Sequence, residues 1–162
     1  ADLSSANPRS GDLSCGDMRS AEISSADLSY ADLSSADLRS ADLSYADLSY
    51  ADLSSAYLPS VDLSYADLRS VDLSSVDLRS AIFLSTDLRS TKTLTSQQLT
   101  SKNPPLLCNS PLPETIQIEG GMNRDCDRIA KVLTERYPGY FRFRSLESAE
   151  EFVAEQQKKT WD

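Results

Sequence analysis

The chain has 162 residues, 40% of them apolar, and carries 25 acidic against 16 basic side chains for a net charge of −9. No run of about 18 apolar residues is present, so no membrane-spanning helix and no membrane insertion are expected, and an acidic balance argues against direct nucleic-acid binding, which needs a basic surface. The absence of histidine removes Ser-His-Asp and Cys-His catalysis and histidine-ligated metal sites.

From residue 1 to residue 90 the chain repeats every five residues, as in ADLSSADLRSADLSYADLSYADLSS over residues 31–55. In the register Ala-Asp-Leu-Ser-x there are eighteen consecutive pentapeptides, and the third position is leucine in fourteen of them. The exceptions are Pro8, Met18, Ile23 and Phe83. A five-residue step on an α-helix turns the side chain by about 140°, which smears leucine around the whole surface. On a single strand the same step flips it to the opposite face. A chain that bends after every five residues resolves the conflict, because four bends of roughly 90° close a square coil of twenty residues. Positions two apart then point the same way, so Ala31 and Leu33 face inward and Asp32 faces out. Coils stack at about 4.8 Å, and each buries its apolar side chains only against its neighbours. The expected core ladder is Leu28, Leu33, Leu38, Leu43, Leu48, Leu53, Leu58, Leu63, Leu68, Leu73, Leu78, Phe83 and Leu88. Each buried leucine contributes about 1.5–3 kcal/mol.

These repeats resemble the pentapeptide-repeat family, whose consensus is A(D/N)LXX. The resemblance covers about 90 residues of the chain. It implies an all-β solenoid, a right-handed quadrilateral β-helix, here of about 4.5 coils. The handedness comes from the resemblance and not from the period.

A twenty-residue coil stacks residues twenty apart into columns. Asp12, Asp32, Asp52 and Asp72 form one. Asp27, Asp47, Asp67 and Asp87 form a second, and Asp2, Glu22, Asp42 and Asp62 a third. Asp17, Asp37 and Asp77 form the fourth, interrupted by Tyr57. Arginines occupy two opposite faces, as Arg9, Arg69 and Arg89 on one and Arg19, Arg39 and Arg79 on the other. Two strongly negative faces and two mixed ones are expected. Aspartate before the central leucine suits a turn-capping role through backbone hydrogen bonds. It also suits an electrostatic surface for a partner. Calcium on the aspartate ladders has no dedicated loop motif to support it, and no cofactor motif is present. Tyr30 and Tyr50 share one column and Tyr45 and Tyr65 the next, an aromatic edge that either shields the ladder or anchors a protein partner.

The first coil is degraded, with Pro8 at a core position and Gly11 and Gly16 where alanine is usual. If it is open, it would pair end to end with a second copy. The chain begins at Ala1 without a signal-peptide pattern, as a mature exported chain or a trimmed one would. After Ser90 the repeat stops. TKTLTSQQLTSK reads as a short capping helix, with Thr95 as N-cap, Gln98 completing a capping box, and Leu94 and Leu99 forming a hydrophobic staple. NPPLLCNSPLP reads as an extended linker lying along the solenoid. NRDCDRIAKVLTERY reads as a helix with Ile129, Val132, Leu133 and Tyr137 on one side, followed by a PGY turn. Ser145 caps a second helix over LESAEEFVAEQQKK, with Leu146, Ala149, Phe152 and Val153 inward and Lys158 and Lys159 suiting its C-terminal end. The division is therefore a repeat solenoid over residues 1–90 and a cap, linker and helical pair over 91–162. The solenoid carries the whole net charge, because residues 91–162 hold ten acids and ten bases. NPPLLC and NRDCDRIAKVLTERYP resemble C-terminal extensions of cyanobacterial pentapeptide-repeat proteins, whose chloroplast relatives sit in the thylakoid lumen.

A bond between Cys108 and Cys126 would close a loop of about 18 residues and add about 3 kcal/mol in the chain-entropy model. It would suit an oxidising compartment, the thylakoid lumen or periplasm. Two free thiols would suit the cytoplasm. Cys15 stands outward with no activating neighbour. No catalytic constellation is present, and a convex solenoid offers no deep pocket. The chain is therefore expected to be a non-enzymatic scaffold that binds a protein partner. The resemblance carries one alternative, an acidic DNA mimic that binds and inhibits a type II topoisomerase (gyrase). Such a mimic would dimerise into a long acidic rod with reduced cysteines.

Overall fold

The computed structural model describes residues 8–136 and 145–161. Asp2 of the third acidic column, Tyr137 and the turn at 138–140 lie outside the described residues. Parallel bridges join residues twenty apart along all four sides of the coil, as in Asp12–Asp32, Asp17–Asp37, Glu22–Asp42 and Asp27–Asp47. The central leucine N–H donates to the aspartate carbonyl one coil on, as from Leu33 to Asp52 at 2.8 Å. The N–H of that same aspartate donates back, as from Asp52 to Ala31 at 3.0 Å. Each corner is a β-turn closed from the next alanine to the leucine carbonyl, as from Ala31 to Leu28 at 3.0 Å. The third residue of that turn has a positive φ, 59° at Tyr30, 56° at Ser35 and 60° at Tyr50. Serine or tyrosine in this left-handed region costs about 1 kcal/mol, a recurrent strain the leucine layer must outweigh. With so much of each pentapeptide used in turning, most sides pair through a single bridged residue.

Every central side chain from Ile23 to Leu88 is at most 2% exposed, including the whole expected ladder. Leu13 and Met18 in the first described coil are only partly buried.

The coil does not end where the repeat does. Lys92 still bridges Asp72, and α1 (Ser96–Thr100) then occupies the next side. The chain returns as β2 (Leu106–Cys108), parallel to β1 (Ile82–Leu84), with Ile82 opposite Leu106 and Leu84 opposite Cys108. The spacing is therefore twenty-four residues instead of twenty, and α1 accommodates the excess. Leu107 enters the leucine core fully buried and Leu112 packs against it. The proline-rich segment that reads as a linker beside the solenoid is instead its next layer. It pairs through backbone, the Leu106 N–H donating to the Ala81 carbonyl at 2.8 Å, and Pro104 and Pro105 come before the paired residues, so the ladder loses no N–H.

Two helices close this end. α2 (Cys126–Arg136) and α3 (Leu146–Gln157) form a second core with the outward side chains of β1 and β2. Ile82 and Leu84 stand where the repeat otherwise has aspartate and serine, so the pentapeptide AIFLS turns an outer face apolar. Ile129, Ala130 and Leu133 of α2 and Ala149 and Val153 of α3 cover it. Val132 and Phe152 pack at its margin. Leu146, expected inward, is 43% exposed, because it is the first residue after the Ser145 cap and precedes the turn that meets β2. A disulfide joins Cys108 of β2 to Cys126 at the start of α2.

Restoring the repeat consensus by Ile82→Asp with Leu84→Ser removes buried apolar contacts and buries a carboxylate, a loss of about 3 kcal/mol or more at this interface. Hydrogen exchange is expected to show α2 and α3 losing protection while amides of residues 28–63 keep theirs.

Candidate interaction surface

The aspartates do the same local work in coil after coil. Oδ1 accepts the N–H of the residue two positions on, at 2.9 Å from Ser44 to Asp42 and from Ser49 to Asp47. In the earlier coils the serine hydroxyl also donates to Oδ1, at 2.6 Å for Ser29, Ser34, Ser44 and Ser49. This locks the corner from outside. The buried Ser64 hydroxyl, by contrast, has no partner among the described residues. Where the residue is arginine, its guanidinium takes both oxygens of the same carboxylate. Arg19 holds Asp17 at 2.8 and 2.7 Å, and Arg39, Arg69, Arg79 and Arg89 hold their aspartates in the same way. The hydrogen bonds of Arg19 hold the Asp17 carboxyl at about 2. Those of Ser14 and Ser29 lower Asp12 and Asp27, and those of Arg39, Arg79 and Arg89 lower Asp37, Asp77 and Asp87.

Tyr57, which interrupts the fourth column, lies between two arginines. Its ring receives the Arg39 guanidinium at 5.2 Å, and its hydroxyl accepts from Arg79 at 3.3 Å. The shallow notch beside it, with Arg39, Tyr57, Pro59, Arg79 and Asn103 on its walls, holds about 310 Å³.

Of the two arginine-free faces, one is open along its whole length; the other is open at Glu22 and covered farther on. Asp42 and Asp62 are 5% and 1% exposed, and the helical pair lies across this side. Arg136 donates to the Ser80 carbonyl at 2.7 Å, the Tyr65 ring meets Phe152 at 6.3 Å, and Lys159 sits 5.8 Å over Tyr65. The expectation of two negative faces is therefore corrected to one continuous acidic column, Asp12, Asp32, Asp52 and Asp72, because the other keeps only Glu22 exposed among the described residues. Here Oδ1 serves the turn, and among the described residues Oδ2 accepts no hydrogen bond. Thr93 adds a hydroxyl donor to Asp72 Oδ1 at 2.8 Å where the column ends.

The tyrosines stand at corners in two stacks. Tyr30 and Tyr50 lie 5.0 Å apart and 5° from parallel, and Tyr45 and Tyr65 4.7 Å apart and 3° from parallel. Tyr30 and Tyr50 are each 53% exposed. Their stack forms a ridge between Asp27 and Asp47 on one side and Asp32 and Asp52 on the other.

At the capped end, Thr95 and Gln98 form a capping box. The Gln98 amide also donates to the Leu73 and Val76 carbonyls at 2.9 and 3.1 Å, replacing the N–H a further regular coil would offer. Leu99 is fully buried and Leu94 packs on the leucine core. Sequence reasoning missed the hub beside it. Arg124 donates to the Leu99 carbonyl at 2.6 Å, the Pro105 carbonyl at 2.5 Å and Asp125 at 2.9 Å. Buried Asp125 in turn accepts the Leu107 N–H at 3.0 Å. Trp161 was missed as well. Its indole N–H donates to Asn109 Oδ1 at 2.8 Å, and Arg89 lies 5.8 Å over its ring. The adjacent Arg-Asp pair before the α2 pattern was the available signal for the hub. Nothing local marked Trp161. Among the described residues no group of three or more acidic or cysteine side chains could hold a metal ion, and no helix is long and apolar enough to cross a membrane.

The pentapeptide repeats model matches in eight copies over residues 1–92. The chain belongs to the pentapeptide-repeat family. Members fold as right-handed quadrilateral β-helices, which accords with the four-sided coil described above. A pentapeptide repeat protein from Nostoc is 35% identical, with a TM-score of 0.52 over 58% of this chain and 77% of that one. One from the cyanobacterium Cyanothece is 34% identical over 49% of this chain and 51% of that one, at a TM-score of 0.29. HetL of Nostoc, a pentapeptide repeat protein involved in heterocyst differentiation regulation, is 30% identical over 68% of this chain and 59% of that one, at 0.32. No curated protein matches the chain.

The lowered aspartates fix the sign of the acid response. A carboxyl whose folded pKa lies below its unfolded value stabilises the fold above the unfolded pKa and loses that effect as pH falls through the folded one. The melting temperature, followed by circular dichroism, is expected to hold steady above pH 5 and to fall between about pH 4 and pH 2. Asp17 is the last of these to titrate, at about 2. In Arg69→Ser and Arg79→Ser variants the folded pKa of Asp67 or Asp77 moves back toward its unfolded value, so the acid-induced fall is smaller and ends at higher pH.

Proposed function

We propose that this protein is a non-enzymatic scaffold that holds a protein partner against the side of its solenoid. The observation that carries this is the exposed Tyr30–Tyr50 stack, set beside carboxylates with one oxygen unengaged. Exposed, rigid tyrosines anchor protein interfaces at small entropic cost. Among the described residues the notches are shallow, and their polar groups are tied into turns and caps, which supports surface recognition over catalysis. In this reading residues 1–90 are the binding body, and residues 91–162 terminate the coil and cover one side of it.

The Cys108–Cys126 bond supports a location in an oxidising compartment, the thylakoid lumen or the periplasm. Intact mass on protein from its native source tests this. The expected result is a mass two hydrogens low with only Cys15 alkylated; three alkylated cysteines would move the protein to the cytoplasm. The scaffold reading is tested by photo-crosslinkers placed on each open face and irradiated in native extract. One discrete adduct, competed by excess unlabelled protein, is expected. Absence of an adduct from every face, together with inhibition of gyrase supercoiling by the purified protein, would replace the scaffold reading with the DNA-mimic one.

A further inference from the structure

The Tyr30–Tyr50 ridge already receives a cation from within the chain. The Arg9 guanidinium lies 5.7 Å over the Tyr30 ring, and its charge helps lower the Asp27 carboxyl, after the larger effect of the Ser29 hydrogen bonds. Tyrosine face and neighbouring carboxylate thus act together on one guanidinium. Tyr50 stands between Asp47 and Asp52 with one face against Tyr30, and the charge of Arg69 already acts on Tyr50 and Asp47. Beyond the ridge, the Asp12–Asp32–Asp52–Asp72 column presents one Oδ2 per coil with no arginine beside it, and a cation of the chain itself, Lys92, follows only after Asp72.

We infer that this surface docks a basic amphipathic helix of a protein partner, laid parallel to the solenoid axis over the Tyr30–Tyr50 ridge. Coils repeat at about 4.8 Å, so four stacked aspartates lie at about 0, 4.8, 9.6 and 14.4 Å along the axis. A helix rises 1.5 Å per residue, so cations at i, i+3, i+7 and i+10 lie at about 0, 4.5, 10.5 and 15 Å. Every cation then falls within about 1 Å of one aspartate along the axis, well inside the reach of an arginine side chain. An extended segment fits less well, because its same-side residues are spaced about 6.8 Å apart. The residues flanking the cationic stripe would lie along the edges of the stacked tyrosine rings, which receive aliphatic groups.

This inference rests on the scaffold reading and narrows it to one face and one partner chemistry. The probe is a capped, alanine-rich peptide of about 20 residues, long enough to be helical, with four arginines at i, i+3, i+7 and i+10. Its control has the same composition with the arginines dispersed around the helix. Binding to the full chain is read by fluorescence anisotropy at low and moderate salt. The in-register peptide is expected to bind at least fivefold more tightly than the control, and to weaken as salt rises. Tyr30→Ser with Tyr50→Ser places at both corners the residue that Ser35 and Ser55 already carry at the same backbone angle, so the fold is kept. That variant is expected to lose tenfold or more in affinity. Asp32→Asn with Asp52→Asn, which keeps the Oδ1 acceptor for the turn, is expected to lose a similar factor.

Equal affinity for the two peptides, or unchanged affinity in both variants, would overturn the proposal. A native partner crosslinked equally well to wild type and to the double tyrosine variant would also overturn it while leaving the scaffold reading standing. Failure of every face to crosslink would remove the scaffold reading itself.

Discussion

Each layer of this protein sends its backbone hydrogen bonds along the axis to the layers above and below, apart from the turn closures at its corners. No coil can satisfy its own peptide groups, and no coil can bury its own leucine. The two requirements are met by the same stacking step, so the central side chains and the backbone bridges stand or fall together. Strain at the corners is tolerated for the same reason. A left-handed serine or tyrosine is held on one side by the leucine turn and on the other by the aspartate that accepts from the residue before it. The acidic character of the solenoid follows from this carpentry before any partner is considered.

The dependence on a next layer makes termination the difficult problem. The protein solves it in stages, each less regular than the last. Lys92 still pairs as a repeat residue would. Gln98 supplies a side-chain amide where a backbone N–H is due. β2 closes over β1 from a coil four residues longer, and Arg124 joins two carbonyls at the end of the stack to the Asp125 carboxylate. Only then does the chain leave the axis, and α2 and α3 fold back across one side. Their footing is the one pentapeptide that abandons aspartate and serine for isoleucine and leucine. The disulfide joins the final layer to the first turn of the covering helix, so the closing layer and its cover move as one piece.

The period of five settled the solenoid, the inward ladder and the column register, because a geometric repeat leaves few ways to bury leucine. The capping box at Thr95 was equally legible, since its chemistry is local. What lay beyond reach was whatever depends on residues far apart. Nothing in NPPLLC says that it forms the next coil; that required knowing that α1 adds four residues to the turn. The substitutions at Ile82 and Leu84 are visible as departures from consensus, yet they become meaningful only when an amphipathic helix is placed over them. The same holds for the surface. Charge counting found two arginine-free faces, and it took the position of the helical pair to leave only one of them open along its whole length. Tyrosine columns were legible from spacing, whereas the guanidinium over Tyr30 and the two arginines around Tyr57 depend on how neighbouring coils present long side chains.

The corner position has a wider consequence. Serine and tyrosine interchange there with φ hardly altered, 56° at Ser35 and 59° at Tyr30, because the backbone and not the side chain fixes the bend. Each corner is thus an independent point on a lattice ruled at the strand spacing of about 4.8 Å. Substitutions at such points change the chemistry displayed without changing where it is displayed. A protein built this way can acquire or exchange a recognition pattern one tick mark at a time, with the ruler itself left untouched.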